Sequence, residues 1–283
     1  MLALFTDRQW LWGAAGFYLA GWLLGTVSLV KRGQPSGIAV FVLLALGFVF
    51  QNFGLAVRGQ AVGGCPLGNT FELYQFTAWS AIAVYLAVGV TFRSSLLGYL
   101  TAGLATAITL VSLAQPAWDS ARRVHIFGGN PWIELHAALA LFSYGVFGLL
   151  TLTSLLCLLR LHSLQSKHLG GRFALLPSLH DLDQIGVRLL LVGVILLAAS
   201  LGVGAVYWLR DTDSVSAAKL LATVAVFAAA VLILGLRLRG WLVTQRFAWA
   251  CVALFAAALL SLTLVDSSRR PLTPVAPPAA ASP

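Results

Sequence analysis

Eight stretches of this chain run for about the length of a membrane span with almost no charge, and clusters of polar residues, Gly and Pro separate them. They are Trp10–Val30, Ile38–Val57, Glu72–Val90, Leu96–Ala114, Trp132–Leu159, Gly186–Trp208, Ala217–Leu236 and Phe247–Val265. A helix needs about 20 mostly apolar residues to cross the hydrocarbon core. The apolar positions are continuous rather than alternating and exceed the roughly 10 residues of a barrel strand, so the pattern predicts helices. The expected fold is all-α: a polytopic integral membrane bundle of about eight transmembrane helices over residues 1–266. The first run is longer than the roughly 7–15 residues of a signal-peptide core and no A-x-A site follows it, so a retained helix is expected. Residues 267–283, "SSRRPLTPVAPPAAASP", lose the pattern and are expected to be disordered. No internal repeat is visible.

Composition agrees: 59% of residues are hydrophobic, 10% are charged and the mean hydropathy is +0.90. Such a chain cannot present a solvated globular surface. Lys31 and Arg32 directly follow the first run whereas only Arg8 precedes it, which places both termini outside by the positive-inside rule. The net charge of +9 then reads as a basic inner face beside anionic membrane lipid, in a bacterial cytoplasmic membrane, with no nucleic-acid role. Asp7, Glu72, Asp119, Glu134, Asp211, Asp213 and Asp266 fall on the proposed outer side, against only Asp181 and Asp183 inside. The longer outer loops are Arg58–Phe71 and Gln115–Pro131. Inside, Arg160–Gln184 is a polar segment with a short surface helix expected near "LPSLHDLDQIG".

Cys157 and Cys251 read as small buried hydrophobes, and Cys65 lies in an outer loop. With no CxxC or CxxCH, neither a thiolate metal site nor a covalent haem is supported. His162, His168 and His180 lie in the inner polar segment without paired spacing and read as solvated; His125 lies in an outer loop. His136 differs. It follows "NPWIEL", where Pro131 suits a first helical position, Glu134 sits near the positive helix end and Trp132 suits an interfacial anchor. An imidazole one turn below the interface is costly without a partner. Two readings stand evenly: a ligand-binding group, or a hydrogen bond within the bundle. Ser143 and Tyr144 share its helical face and either line a cavity or pack. Trp10, Trp12, Trp79, Trp118, Trp132 and Trp208 individually read as an aromatic belt; with His136 they also suit a flat, apolar, anionic ligand such as haem.

The stretch "CPLGNTFELYQFTAW", residues 65–79, poses a related choice. Asn69 suits a helix cap and Glu72 a first-turn carboxylate, with no ligand needed. It also resembles the P-x-x-N-x-x-E…W segment of the CcsA/ResC/HemX superfamily of cytochrome c assembly proteins. "WIELHAALALFSYGVFGLLTLTSLLCLL" resembles that family's LHxxLxxxSYaxF helix, and "LDQIGVRLLLVGVILLAASLGVGAVYW" is similar to its LDxxxxRxxxxG…W segment. The resemblance implies a haem-handling protein at the outer face, with His136 as ligand to the iron of a non-covalent haem b. Asn69, Glu72, Trp79, Trp132, Tyr144 and Trp208 match its polar and aromatic positions. The chain departs from it in lacking a WWD loop and in carrying Gln51 where many relatives have histidine. That favours the HemX-like branch, a protein that catalyses nothing alone and works with partners: a ResB-like cytochrome c assembly protein, or an early tetrapyrrole-synthesis enzyme that it regulates. A small-molecule transporter is a weaker alternative, because the helix centres lack paired charges.

Overall fold

The computed structural model describes residues 5–30, 37–92, 95–119, 130–166, 178–208 and 217–267. They form eight α-helices: α1 (Asp7–Val30), α2 (Gly37–Val62), α3 (Thr70–Phe92), α4 (Ser95–Ala114), α5 (Pro131–Gln165), α6 (Leu179–Trp208), α7 (Ala217–Leu238) and α8 (Thr244–Ser267), with a 3₁₀ turn at Pro116–Asp119. No strand occurs among the described residues. Each expected run is a helix, and the chain is a polytopic helical membrane bundle. Six helices, α2 and α4 to α8, are by themselves long and apolar enough to cross a membrane. In α3 the polar side chains of Glu72, Gln75, Thr77 and Ser80 make hydrogen bonds within the bundle.

The observed helices overrun the apolar stretches. Arg58 lies in the last turns of α2, Arg160 in those of α5, and "LHDLDQIG" forms the first turns of α6 rather than a separate surface helix. Hydropathy marks only the part of a helix that needs hydrocarbon; caps mark its true ends. Asn130 accepts the Trp132 N–H at 3.1 Å and Pro131 occupies the first turn of α5. Ser178 Oγ accepts the Asp181 N–H at 3.1 Å and donates to the Asp181 carboxylate at 2.6 Å, so α6 starts well before the apolar run. At the ends of α2 and α7, Gly63 (φ 69°) and Gly240 (φ 75°) take the left-handed conformation that glycine accepts without strain.

The helix α5 is the axis. It packs along α6 and also against α3 and α8, while α1 packs between α2 and α4, and α7 lies at the edge against α8 and α6. The apolar span of α5 is 67% buried and that of α7 only 17%, so α7 faces lipid over most of its length. Close approach rests on small residues, as membrane bundles require. A Cβ on Gly145 of α5 would fall 3.0 Å from the backbone nitrogen of Ala81 in α3. The tail beyond Ser267, His125 and His168 lie outside the described residues.

Candidate functional site

At one end of the bundle the starts of α1, α3 and α5 meet the ends of α2 and α4. The apolar stripe of α2 passes Gln51, Gly54 and Leu55 and then reaches Arg58, which is fully buried. Its guanidinium donates through Nε to Glu72 at 2.6 Å, through Nη1 to Asp7 at 2.8 Å, and through Nη2 to Asp119. It lies 4.7 Å from the centroid of the Phe71 ring. Arg8 closes the group, donating to Asp119 at 3.2 Å and to the Leu113 carbonyl at 2.9 Å. Two arginines thus face three carboxylates contributed by α1, α3 and the 3₁₀ turn. A buried charge of this kind is tolerable only when each partner is in place.

The start of α3 is built into the same group. Asn69 Oδ1 accepts the Glu72 N–H at 2.9 Å, the cap expected from sequence, and Glu72 Oε2 accepts the Gly68 N–H at 2.5 Å. The first bond is an N-cap, and the second differs from a capping box in that Glu72 reaches the N–H of the residue before the cap. Glu72 therefore has one oxygen on the loop and the other on Arg58. The loop before it is held by α5: Glu134 accepts the Cys65 N–H at 3.1 Å, and a Cβ on Gly64 would fall 2.4 Å from Glu134 Oε1. Burial and the nearby Glu134 and Glu72 carboxylates push the Cys65 thiol up to about 11, so it stays protonated.

Below this layer a chain of amides crosses four helices. Tyr18 donates to Gln51 at 2.8 Å, Gln51 donates to Gln75 at 3.0 Å, and Gln75 donates to Ser112 at 2.8 Å. Gln51, at the position where the family pattern offers a histidine, is fully buried and engaged with α1 and α3. The chain of bonds closes the centre of the first four helices.

Joined to this end through Glu134, His136 sits in the second turn of α5. Its Nδ1 lies 2.7 Å from the carbonyl oxygen of Ser200 in α6, and Ser200 Oγ donates to the His136 carbonyl at 3.0 Å. A carbonyl only accepts, so in the neutral ring the proton is on Nδ1 and the lone pair on Nε2. The ring rests on Gly204, where a Cβ would fall 2.7 Å from Cε1 and 2.8 Å from Nδ1. Of the two sequence readings, the hydrogen bond within the bundle is present through Nδ1, and Nε2 has no partner among the described residues. Backbone anchoring of one ring nitrogen is the arrangement that orients a metal-ligating histidine.

The other sequence-derived positions divide by neighbourhood. Trp132 is one turn before His136 on the same face and is 57% exposed. Trp79 donates its indole N–H to Asn52 at 3.0 Å and stacks on Phe48 with centroids 5.7 Å apart. Tyr144 is bonded to Ser261 of α8 at 2.8 Å. Trp208 ends α6, with its side chain outside the described residues. Asn69 and Glu72 belong to the Arg58 group. Sequence reasoning assigned Arg58 to a loop and missed its role; the available signal was its place on the stripe of α2, in register with Gln51 and Leu55.

An all-helical bundle with a buried ion cluster and an oriented imidazole at one end defines a multi-pass membrane protein built around one end of its helices. The family described as "Cytochrome C assembly protein" matches residues 67–269, and the chain belongs to it. It is 24% identical over 198 residues to Protein HemX of Bacillus subtilis (strain 168), covering 69% of this chain and 71% of that protein. It is 29% identical over 130 residues to the cytochrome c biogenesis protein CcsA of Microcystis aeruginosa, covering 45% of this chain and 38% of that one. With CcsA of Trieres chinensis the identity is 30% over 137 residues, 47% of this chain and 40% of the relative. The chain thus spans about two-fifths of the length of these CcsA relatives.

Proposed function

We propose that this protein binds haem non-covalently, as haem b, through Nε2 of His136 and takes part in cytochrome c assembly at the outer face of a bacterial cytoplasmic membrane, both termini outside. The observation that carries the reading is the Nδ1 contact with the Ser200 carbonyl at 2.7 Å, which leaves Nε2 as the metal-binding nitrogen. Family membership supports the pathway, and the exposed indole of Trp132 beside the imidazole supports a flat apolar ligand. His136, through Nε2, and the exposed Trp132 one turn before it are the residues that would meet haem. Haem, if bound, would supply an iron centre that the His136 imidazole would hold. The chain's own contributions are to hold the imidazole in one tautomer through Ser200, to leave room for the ring with Gly204, and to cover one edge with Trp132. Asn69 and Glu72 fix the neighbouring loop rather than meet the ligand. The protein acts with a ResB-like partner and has no catalysis of its own.

The optical spectrum of the detergent-purified protein tests this. A Soret band is expected in the wild type and its loss in His136→Ala; absence of haem from the wild type, or equal binding by the variant, overturns the ligand assignment.

A second reading is favoured by coverage, since the two HemX relatives align over 71% and 74% of their own length. In it the protein regulates tetrapyrrole synthesis by contact with an early enzyme of that pathway. A glutamyl-tRNA reductase gene beside this one supports regulation, and a ResB-like gene supports assembly.

A further inference from the structure

The start of α5 is gripped from two sides, and only one of them belongs to the His136 contact with α6. Glu134 precedes His136 by two residues, about 200° around a helix of 3.6 residues per turn, so the two side chains leave α5 in nearly opposite directions. His136 meets Ser200 and Gly204 of α6. Glu134 meets the loop between α2 and α3, where its Oε2 accepts the Cys65 N–H at 3.1 Å. On that same face of α5, Ala137, Ala138 and Leu141 share one apolar cluster with Cys65 and Leu67. Leu67 is 3% exposed, so the loop lies against α5 as packed structure rather than as a surface turn.

The loop has little freedom to yield. Gly64 N donates to the Gly59 carbonyl of α2 at 3.1 Å, and Leu67 N donates to the Cys65 carbonyl at 2.9 Å. Its far end is tied to the ion cluster, since Glu72 accepts the Gly68 N–H at 2.5 Å with one oxygen and the Arg58 Nε–H at 2.6 Å with the other. Gly64 is where loop and helix come closest, and a Cβ there would collide with Glu134 Oε1. Thus α5 begins as a helix pressed between a fixed loop and α6. A ligand-binding side chain must be held within about 0.5 Å of its productive place by the shell around it, so the backing of α5 matters to the imidazole on its other face.

We propose that the loop of residues 63–68 is a clamp on the haem site, with Glu134 as a positioning residue. It holds the start of α5 on α6, so that the His136 ring keeps its Nδ1–H on the Ser200 carbonyl and presents Nε2. Its effect on haem rests on the reading of His136 as the iron ligand; its hold on the ring does not. Through Glu72 the clamp also ties the imidazole to the Arg58 ion cluster, which itself meets no ligand.

Nitrogen-15 spectra of haem-free protein labelled at histidine, at mildly alkaline pH where imidazole is neutral, read the ring directly. His136 is identified by the signal lost in His136→Ala, and wild type is expected to carry its proton on Nδ1. Glu134→Ala removes the acceptor, and Gly64→Ala drives the carboxylate off the Cys65 N–H without deleting it. Both are expected to spread His136 over the two neutral tautomers. Glu134→Gln keeps an oxygen for the Cys65 N–H and is expected to retain the Nδ1–H form. The signals of His162 and His180, at the opposite ends of α5 and α6, are expected to stay unchanged, which separates clamp release from general loosening. In a haem titration read at the Soret band, Glu134→Ala and Gly64→Ala are expected to bind about tenfold more weakly, the lower end for loss of a residue that orients a metal ligand. Glu134→Gln is expected to bind like wild type. A His136 signal that is the same in wild type, Glu134→Ala and Gly64→Ala overturns the clamp, even where wild type binds haem. Mixed tautomers in the two variants of a protein whose wild type binds no haem support the clamp and overturn the ligand reading instead. If Glu134→Ala does not fold, Gly64→Ala, which keeps every polar group, decides.

Discussion

The imidazole of His136 is orientated by two residues that sequence reading could not supply. Its position was legible, because a histidine one turn inside a membrane helix demands a partner. Ser200 and Gly204 were not, since they lie in another helix and their roles depend on how α5 crosses α6. Gly204→Ala is therefore an informative change. The added methyl meets Cε1 and Nδ1 at 2.7 and 2.8 Å, so the ring must leave the Ser200 carbonyl or α6 must shift. Overpacking of this kind costs about 1–3 kcal/mol. The expected outcome is weakened or lost Soret absorbance with helical content retained, read by circular dichroism beside the optical spectrum. Cys65 gives a pH-dependent prediction. With its thiol pushed up to about 11 by burial and by the carboxylates of Glu134 and Glu72, its neutral form persists through ordinary pH. Alkylation by iodoacetamide at pH 8 is expected to be much slower in the folded protein than in denaturant, and to rise toward pH 11. Glu134→Gln removes one carboxylate, lowers the thiol's titration point and speeds the reaction at fixed pH.

Helix existence followed from hydropathy and helix ends did not. The run from Gly186 reaches the end of α6 at Trp208 but misses its first turns, whose true start is the Ser178–Asp181 cap. Arg58 shows the same limit from the other side. A charge after Val57 signals the end of a membrane run, yet α2 continues to Val62 because the charge is paired inside. The cap at Asn69 was legible as a local pattern, since asparagine three residues before glutamate satisfies helix N–H groups within one turn. Asn69→Ala removes that bond and the 3.4 Å contact of Nδ2 with Asp119. A loss of about 0.5–2 kcal/mol is expected, measured as a lower denaturation midpoint in detergent. An equally stable Asn69→Ala protein would show that Glu72 alone sets the start of α3.

For the molecule as a whole, the Arg58 group decides whether the first four helices share one arrangement. Replacing Arg58 by methionine takes the guanidinium from buried Asp7 and Glu72 and leaves Asp119 with Arg8, and removal of one side of a buried ion pair costs about 3–5 kcal/mol. Arg58→Met is expected to lower the thermal unfolding midpoint sharply. Adding Asp7→Asn and Glu72→Gln to it is expected to restore part of the loss, because neutral amides no longer repel. No restoration would mean that guanidinium packing on Phe71, rather than charge balance, holds the end together. The eight-helix bundle was legible from sequence because lipid imposes length and polarity on every span. The cluster was not, because its members Asp7, Arg58, Glu72 and Asp119 come from four segments whose spacing follows no period.

That wide spacing bears on the order in which the chain is assembled. During synthesis Asp7 and Arg58 enter the membrane early, and Arg58 has its full set of anions only after Asp119, 61 residues later, has been made. The first four helices are thus fastened by the last residue of the turn that follows them. A nascent chain stalled with its C-terminus at Ala114 should remain open to protease at this end; one extended past Asp119 should resist it.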